Sequence, residues 1–492
     1  MFRYGFKTST KSSATVVAPK FKVAAPVRVA GSRRSFSHSS RWAKQRVVIL
    51  GSGWGGYELM RKVDKRSYDV VMVSPTTYFA MTPLLASTAV GTIEFRCALE
   101  PVRRYPQVVS FQAQATSIDL KNKSIKCLPT VGGSASKLKN GSESPGTEVG
   151  SSRDFEHSAL YPGVKPFALD YDILAISVGC YSQTFNTPGV KEFGHFLKDV
   201  KDARRIRSRI LECFELAASP TVTDVERANL LHFVVVGGGP TGIEFAAELH
   251  DLIEEDMKRH YPHVSKFCRI TIYDVSPTIL GAFDKSLVEY AMAQFQRQGV
   301  QIKTERHVVK VNEASIEIKE EGTVPFGMLV WSTGLAPNPL IASLKELEHD
   351  EKTHSLRVNG HFNPKTVDGK ELKDVYVIGD AAMLEQKLPA TAQVANQEAV
   401  HLAKILNARV RDLPLPGPFE FHNQGIMTYI GNWKALFDRS GATQDGFKEG
   451  GRFAWLLWRS AYWVKAMSWR NRCTLAFYWF ANWIFGRSIT RF

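Results

Sequence analysis

Twice in this chain a short apolar, β-branched run breaks directly into glycines at GxGxxG spacing. Arg46-Val-Val-Ile-Leu50 runs into Gly51-Ser-Gly-Trp-Gly-Gly56, and Leu231-His-Phe-Val-Val-Val236 runs into Gly237-Gly-Gly-Pro-Thr-Gly242. Each turn precedes a helix-like stretch (243–260 for the second) and another apolar run, 68–73 in one case and 269–273 in the other. Strand, turn, helix and strand at this length form a βαβ unit, so the fold class expected is α/β with two Rossmann-like dinucleotide-binding domains. Gly51 and Gly237 permit the tight turn. Gly53 and Gly239 let a pyrophosphate approach the backbone, and Gly56 and Gly242 let helix and strand pack closely. The helix N-terminus adds positive potential for phosphate.

The two copies differ at the end of the next strand. Asp274, after the second, is placed to accept hydrogen bonds from an adenosine ribose and to repel a 2′-phosphate, which favours NADH over NADPH. Ser74 stands at the equivalent place after the first and is a weaker ribose partner. Further buried strands are expected at 172–178, 327–332 and 375–378. They end at Gly179, near Gly334 and at Gly379-Asp380.

The net charge of +15 suggests an anionic partner, but eleven Lys and Arg lie in residues 1–46, where there is no acid. The remainder carries only about +4, so nucleic acid is not expected as a partner. The basic, Ser-rich, acid-free start has the composition of a mitochondrial transit peptide. The six cysteines (97, 127, 180, 213, 268, 473) include no CxxC or CxxxxC pair, which excludes a visible zinc site or redox dithiol. No EF-hand loop is present, and no metal is expected.

The whole set resembles the two-dinucleotide-binding-domain flavoproteins. Within them, Gly51-Ser-Gly-Trp-Gly55, Thr82-Pro-Leu-Leu85, Gly237 to Glu244, Ala392-Gln-Val-Ala-Asn-Gln-Glu398 and Leu457-Trp-Arg-Ser460 resemble type II (alternative) NADH:quinone oxidoreductases over about 47–492. The resemblance implies non-covalent FAD at Gly51, Gly53, Gly56, Thr82, Asp380, Ala392 and Gln393. It implies NADH as substrate at Gly237, Gly239, Gly242, Asp274 and Gly334. It also assigns Glu244 to substrate positioning or proton handling, with Glu248 one turn on, and places ubiquinone beside Gln393 and Gln397. Asn396 stands where some relatives carry His. A homodimer follows from the resemblance alone. Without a dithiol relay, electrons reaching the flavin must leave directly to an acceptor.

The tail points to a lipid-soluble acceptor. Trp455, Trp458, Tyr462, Ala466 and Trp469 keep one helical face, and no acid occurs in 451–492, which suits an anionic membrane surface. No apolar run reaches the ~18–20 residues of a spanning helix. The organisation expected is a transit peptide at 1–45 and an FAD domain at 46–190 with a flexible Gly/Ser insert at 132–158. An NADH domain at 191–335, an FAD return segment at 336–415 and a C-terminal amphipathic, membrane-associated and dimerisation region at 416–492 follow. The location expected is the mitochondrial inner membrane, peripheral, with the matrix side favoured. Two other readings stay open: an apoptosis-inducing-factor-like or ferredoxin-reductase-like NADH oxidase with a soluble acceptor, and a non-enzymatic flavin-binding membrane scaffold.

Overall fold

The computed structural model describes residues 44–130, 165–441 and 446–491. The basic leader up to residue 43 and the Gly/Ser insert lie outside the described residues.

Gln45–Leu50 is an interior strand of a seven-stranded sheet. The order is Val375–Val377, Ile173–Ile176, Gln45–Leu50, Tyr68–Ser74, Val109–Asp119, Ser124–Pro129, Phe167–Asp170. The first four pairings are parallel and the last two antiparallel. Val47, Val48, Ile49 and Leu50 are all at most 1% exposed. Both faces of the strand are covered, which is why the sequence there is a continuous apolar run rather than an alternating one. A second, all-parallel sheet follows the order Gln301–Lys303, Arg269–Tyr273, His232–Val236, Met328–Trp331. The chain leaves the first sheet, builds the second, and returns to the first at Val375–Val377. Leu335–Pro337, pairing antiparallel with Cys180–Ser182, marks the crossing back.

Helix α1 (Trp54–Lys62) leaves the first glycine turn and α2 (Pro240–Leu252) the second. The second starts three residues earlier than the apolar pattern suggests, because proline suits the first helical turn, where its missing N–H costs nothing. A π-turn at Ile253–Met257 carries it on to His260. Helix α3 (Ala392–Arg409) is capped by Thr391, whose hydroxyl accepts the Val394 N–H at 3.3 Å, and it packs along α1.

The tail forms a three-stranded antiparallel sheet (Ile426–Tyr429, Ala435–Asp438, Lys448–Gly451) and two helices, α4 (Arg452–Lys465) and α5 (Trp469–Phe485). Here one expectation is corrected. The stripe of Trp458, Tyr462 and Ala466 faces the protein, not lipid; these residues are 4%, 9% and 3% exposed and belong to the main core. Core-facing and lipid-facing helices share the same spacing, and the difference is made by partners. Trp458 packs at a tilt against Tyr429, with ring centroids 5.6 Å apart, and donates its indole N–H to Glu244, while Arg459 is held over the rings of Trp455 and Trp479. The chain also breaks between the helices, so Trp469 begins α5 and is 70% exposed. The exposed apolar side chains of the two helices and their junction are instead Phe453, Leu456, Val464, Trp469, Phe477, Phe480, Trp483, Ile484 and Phe485. Among the described residues no helix is long and apolar enough to cross a membrane.

Candidate active site

Both glycine turns meet the demands of their geometry. Gly51 has φ +98° and its N–H donates to Val73 O at 2.8 Å; any Cβ there would strike Ser177 O. A Cβ on Gly56 would strike Gly51 O, whereas one on Gly53 would meet nothing within 4 Å. The second turn repeats this. Gly237 has φ +114°, Gly242 abuts Gly237 O and Ser332 Oγ, and Gly239 faces open space. At each turn the open middle glycine leaves room where a phosphate would lie, at the start of a helix.

Above the first turn is a cavity of about 640 Å³, lined by Gly51, Gly53, Ser74, Gly379, Asp380 and Ala392, with Thr82 on one side. The strand end that lacks an acid is not bare. Ser52 and Ser74 hydroxyls lie 2.8 Å apart, Thr76 adjoins them, and Ser52 donates to Tyr78 O. Asp380 accepts the Cys180 thiol at 2.8 Å, and Lys198 Nζ stands 3.2 Å from the same sulfur. Burial pushes that thiol up to about 11, so it remains a donor. Gly379, at φ +70°, donates its N–H to Glu398 at 2.5 Å. Burial pushes Glu398 up to about 8, against the pull of that N–H. A cradle without Cβ atoms, a hydroxyl cluster and a carboxylate fit an adenine dinucleotide with a polyol arm such as FAD.

The same cavity reaches the second unit. Glu244, Ser332, Thr333 and Gly334 line it, with Gly334 in the left-handed region at φ +55°. Glu244 is buried, and its carboxylate accepts the Tyr429 N–H at 3.1 Å and the Trp458 indole N–H at 3.3 Å. Burial pushes its carboxyl up to about 8. Glu248, one turn on, accepts Ser87 and Thr92 hydroxyls at 2.5 and 2.6 Å and lies outside the cavity wall. Asp274 accepts the Gly238 N–H at 2.5 Å and the Ser276 N–H at 2.7 Å, so it braces the second turn. Gly56, Gly237, Gly239, Gly242 and Asp274 do not line the cavity itself.

A second cavity of about 1010 Å³ shares a wall with the first, made by Trp54, Pro83, Pro240, Thr391, Ala392, Met427 and Tyr462. Gln393, Asn396 and Gln397 line it along α3, with Lys465 and Met467 from the tail. Gln393 faces this cavity and not the first. The two glutamines clamp the passing strand. Gln393 donates to Gly425 O at 3.2 Å and accepts the Gln424 N–H, and Gln397 donates to His422 O at 2.9 Å and accepts the His422 N–H. Each amide keeps one further N–H.

Sequence reasoning missed four groups here. Trp54, inside the first glycine motif, donates to Thr82 Oγ1 at 3.0 Å and so ties two predicted elements together. Tyr462 lines both cavities although its spacing placed it on a lipid face. Glu398 closes the Ala392–Glu398 motif but spacing gives it no role, and Lys198 carried no positional signal; each acts on a residue 18 or 19 positions away.

The pyridine nucleotide-disulphide oxidoreductase family profile matches residues 45–399, and the profile described as the NDH2 C-terminal domain matches 423–488. The chain is 36% identical over 457 residues to a probable NADH dehydrogenase of Dictyostelium discoideum, covering 91% of each. It is also 36% identical over 472 residues to the mitochondrial internal alternative NAD(P)H-ubiquinone oxidoreductase A1 of Arabidopsis thaliana, covering 91% of this chain and 86% of that one. Its fold is similar to that of NDH2 from Plasmodium falciparum solved with NADH, at TM-score 0.79 and 23% identity, over 91% and 100% of the two chains. The chain belongs to the pyridine nucleotide-disulphide oxidoreductase family, among the alternative NAD(P)H-ubiquinone oxidoreductases.

Proposed function

We propose that this chain is a non-proton-pumping NADH:quinone oxidoreductase that uses FAD and takes ubiquinone as acceptor. The observation that carries this is the shared wall: one cavity touches both nucleotide units, and a second, lined by the tail, adjoins it. When bound, FAD would supply hydride acceptance from NADH and electron donation to the quinone.

The protein's part is positioning. Gly51, Gly53, Thr82, Asp380 and Ala392 line the part of the first cavity that would hold FAD, and Gly56 packs α1 against the turn behind them. Gly237, Gly239, Gly242 and Asp274 hold NADH, and Gly334 lets its nicotinamide end approach. Glu244, protonated over much of the neutral range because it is buried, positions the nicotinamide or holds a proton beside it. The free amide N–H groups of Gln393 and Gln397 face the quinone. Trp54 and Ala392, with five other residues, form the wall between the two cavities.

The exposed apolar face of α4 and α5 supports membrane contact through 451–492, and a homodimer is the assembly expected. The location is the mitochondrial inner membrane, with the matrix face preferred. Protease protection in intact mitochondria and mitoplasts tests that side. The reaction is tested by anaerobic mixing: NADH should bleach the flavin and a short-chain quinone should restore its absorbance. A flavin that NADH cannot bleach would overturn the reading.

A further inference from the structure

Two cations, Lys303 and Arg306, stand on residues hydrogen-bonded to the Asp274 backbone. The Asp274 N–H donates to Lys303 O at 3.1 Å, and the Arg306 N–H donates to Asp274 O at 2.9 Å. Lys303 lies opposite Tyr273 in the sheet register. This is the carboxyl edge of the second sheet, where an adenosine ribose is held, and where Arg or Lys would attract a 2′-phosphate. Both are engaged by one carboxylate instead. Glu321, in the turn between Ser315–Ile318 and Gly322–Pro325, accepts Lys303 Nζ at 2.6 Å and Arg306 Nε at 3.0 Å, and takes the Tyr273 hydroxyl at 3.2 Å. Arg306 spends another nitrogen on Thr304 O and Glu305 O.

We propose that Glu321 is a specificity-determining residue: it withdraws Lys303 and Arg306 from the ribose edge and thereby keeps the site selective for NADH against NADPH. Asp274 repels the extra phosphate directly, and Glu321 removes what would attract it. The inference rests on the second unit being the nicotinamide-nucleotide site. Partial burial pushes the Glu321 carboxyl up, but Lys303 and Arg306 outweigh it and hold the group below the usual carboxylate range, so it stays charged at neutral pH. The side chains of Glu321, Lys303 and Arg306 are 20%, 33% and 34% exposed, so such pairs add little stability. A selective role fits them better than a structural one.

The test is calorimetric titration of the full chain with ADP-ribose and with 2′-phospho-ADP-ribose, which need no turnover. In Glu321→Gln, ADP-ribose should bind as in the wild type. The phosphorylated ligand should tighten about tenfold, as one charge-assisted hydrogen bond allows. Adding Arg306→Ala should remove the gain. An unchanged ratio of the two affinities in Glu321→Gln overturns the inference, as does loss of both ligands in that variant alone, which would make Glu321 a staple. Failure of the wild type to bind ADP-ribose would instead overturn the nucleotide-site reading beneath it.

Discussion

Gly53 and Gly56 stand three positions apart, and a side chain at each would have opposite consequences. At Gly53 nothing lies within 4 Å, and its φ of −74° suits any residue. Gly53→Val should therefore leave the Tm of the flavin-free protein unchanged while abolishing visible flavin absorbance. Gly56→Val must push against Gly51 O and should lower that Tm itself, by several degrees. Glu244 gives a pH signature. Its folded value of about 8 lies above its unfolded value near 4.5, so its contribution to stability is full at low pH and lost as pH rises through 8. Thermal melts of Glu244→Gln should therefore fall less between pH 5 and 9 than those of the wild type; parallel curves would place the ionisation elsewhere. Asp274→Asn should narrow the ratio of kcat/KM for NADH over NADPH by about tenfold. Glycines, Asp274 and Asp380 are legible because a rule of local spacing marks them. The roles of Glu398, Lys198 and Glu321 are not, because their partners are set by how separate segments meet: Glu398 acts on Gly379, 19 positions back, and Glu321 on Lys303 and Arg306 across a turn.

The tail shows what periodicity alone can and cannot tell. The 3-4-4-3 spacing of Trp455, Trp458, Tyr462, Ala466 and Trp469 says that one helical face is apolar; what it faces depends on Glu244, 214 positions away from Trp458. Burying an indole that also donates to the buried Glu244 carboxyl turns that side of α4 inward, and leaves Phe453, Leu456, Trp469, Phe477, Phe480, Trp483 and Phe485 exposed. Trp458→Ala should cost about 3–5 kcal/mol in urea unfolding, the usual loss for a buried aromatic. Trp483→Ala on α5, 65% exposed, should change stability by no more than ~0.5 kcal/mol. Sedimentation with anionic vesicles should nevertheless separate it from the wild type. Equal vesicle binding by the two would detach α5 from the membrane surface. The strands were easier to place than the helices of the tail, since a run such as Val47–Leu50, covered on both faces, admits no alternative register of burial.

At the scale of the molecule, the chain's out-and-back path is what brings the chemistry together. Strand Val375–Val377 rejoins the first sheet, so Gly379 and Asp380 face the first glycine turn, and α3 then passes between that turn and the tail. One cavity therefore receives groups from both nucleotide units, and the other from α3 and the tail, with Trp54, Ala392 and Tyr462 between them. This order makes the two half-reactions separable by mutation. Asn396 lines only the second cavity and is half-buried, so Asn396→Trp fills that space without touching the first. In anaerobic stopped flow, NADH should bleach the flavin of this variant at the wild-type rate, while a short-chain quinone should restore it at least about tenfold more slowly, a factor equal to ~1.4 kcal/mol of barrier. Equal slowing of both phases would mean that the two cavities are one site. Unaltered reoxidation would mean that the acceptor reaches the flavin by another route, through the nucleotide side, and the tail would then have no part in electron delivery.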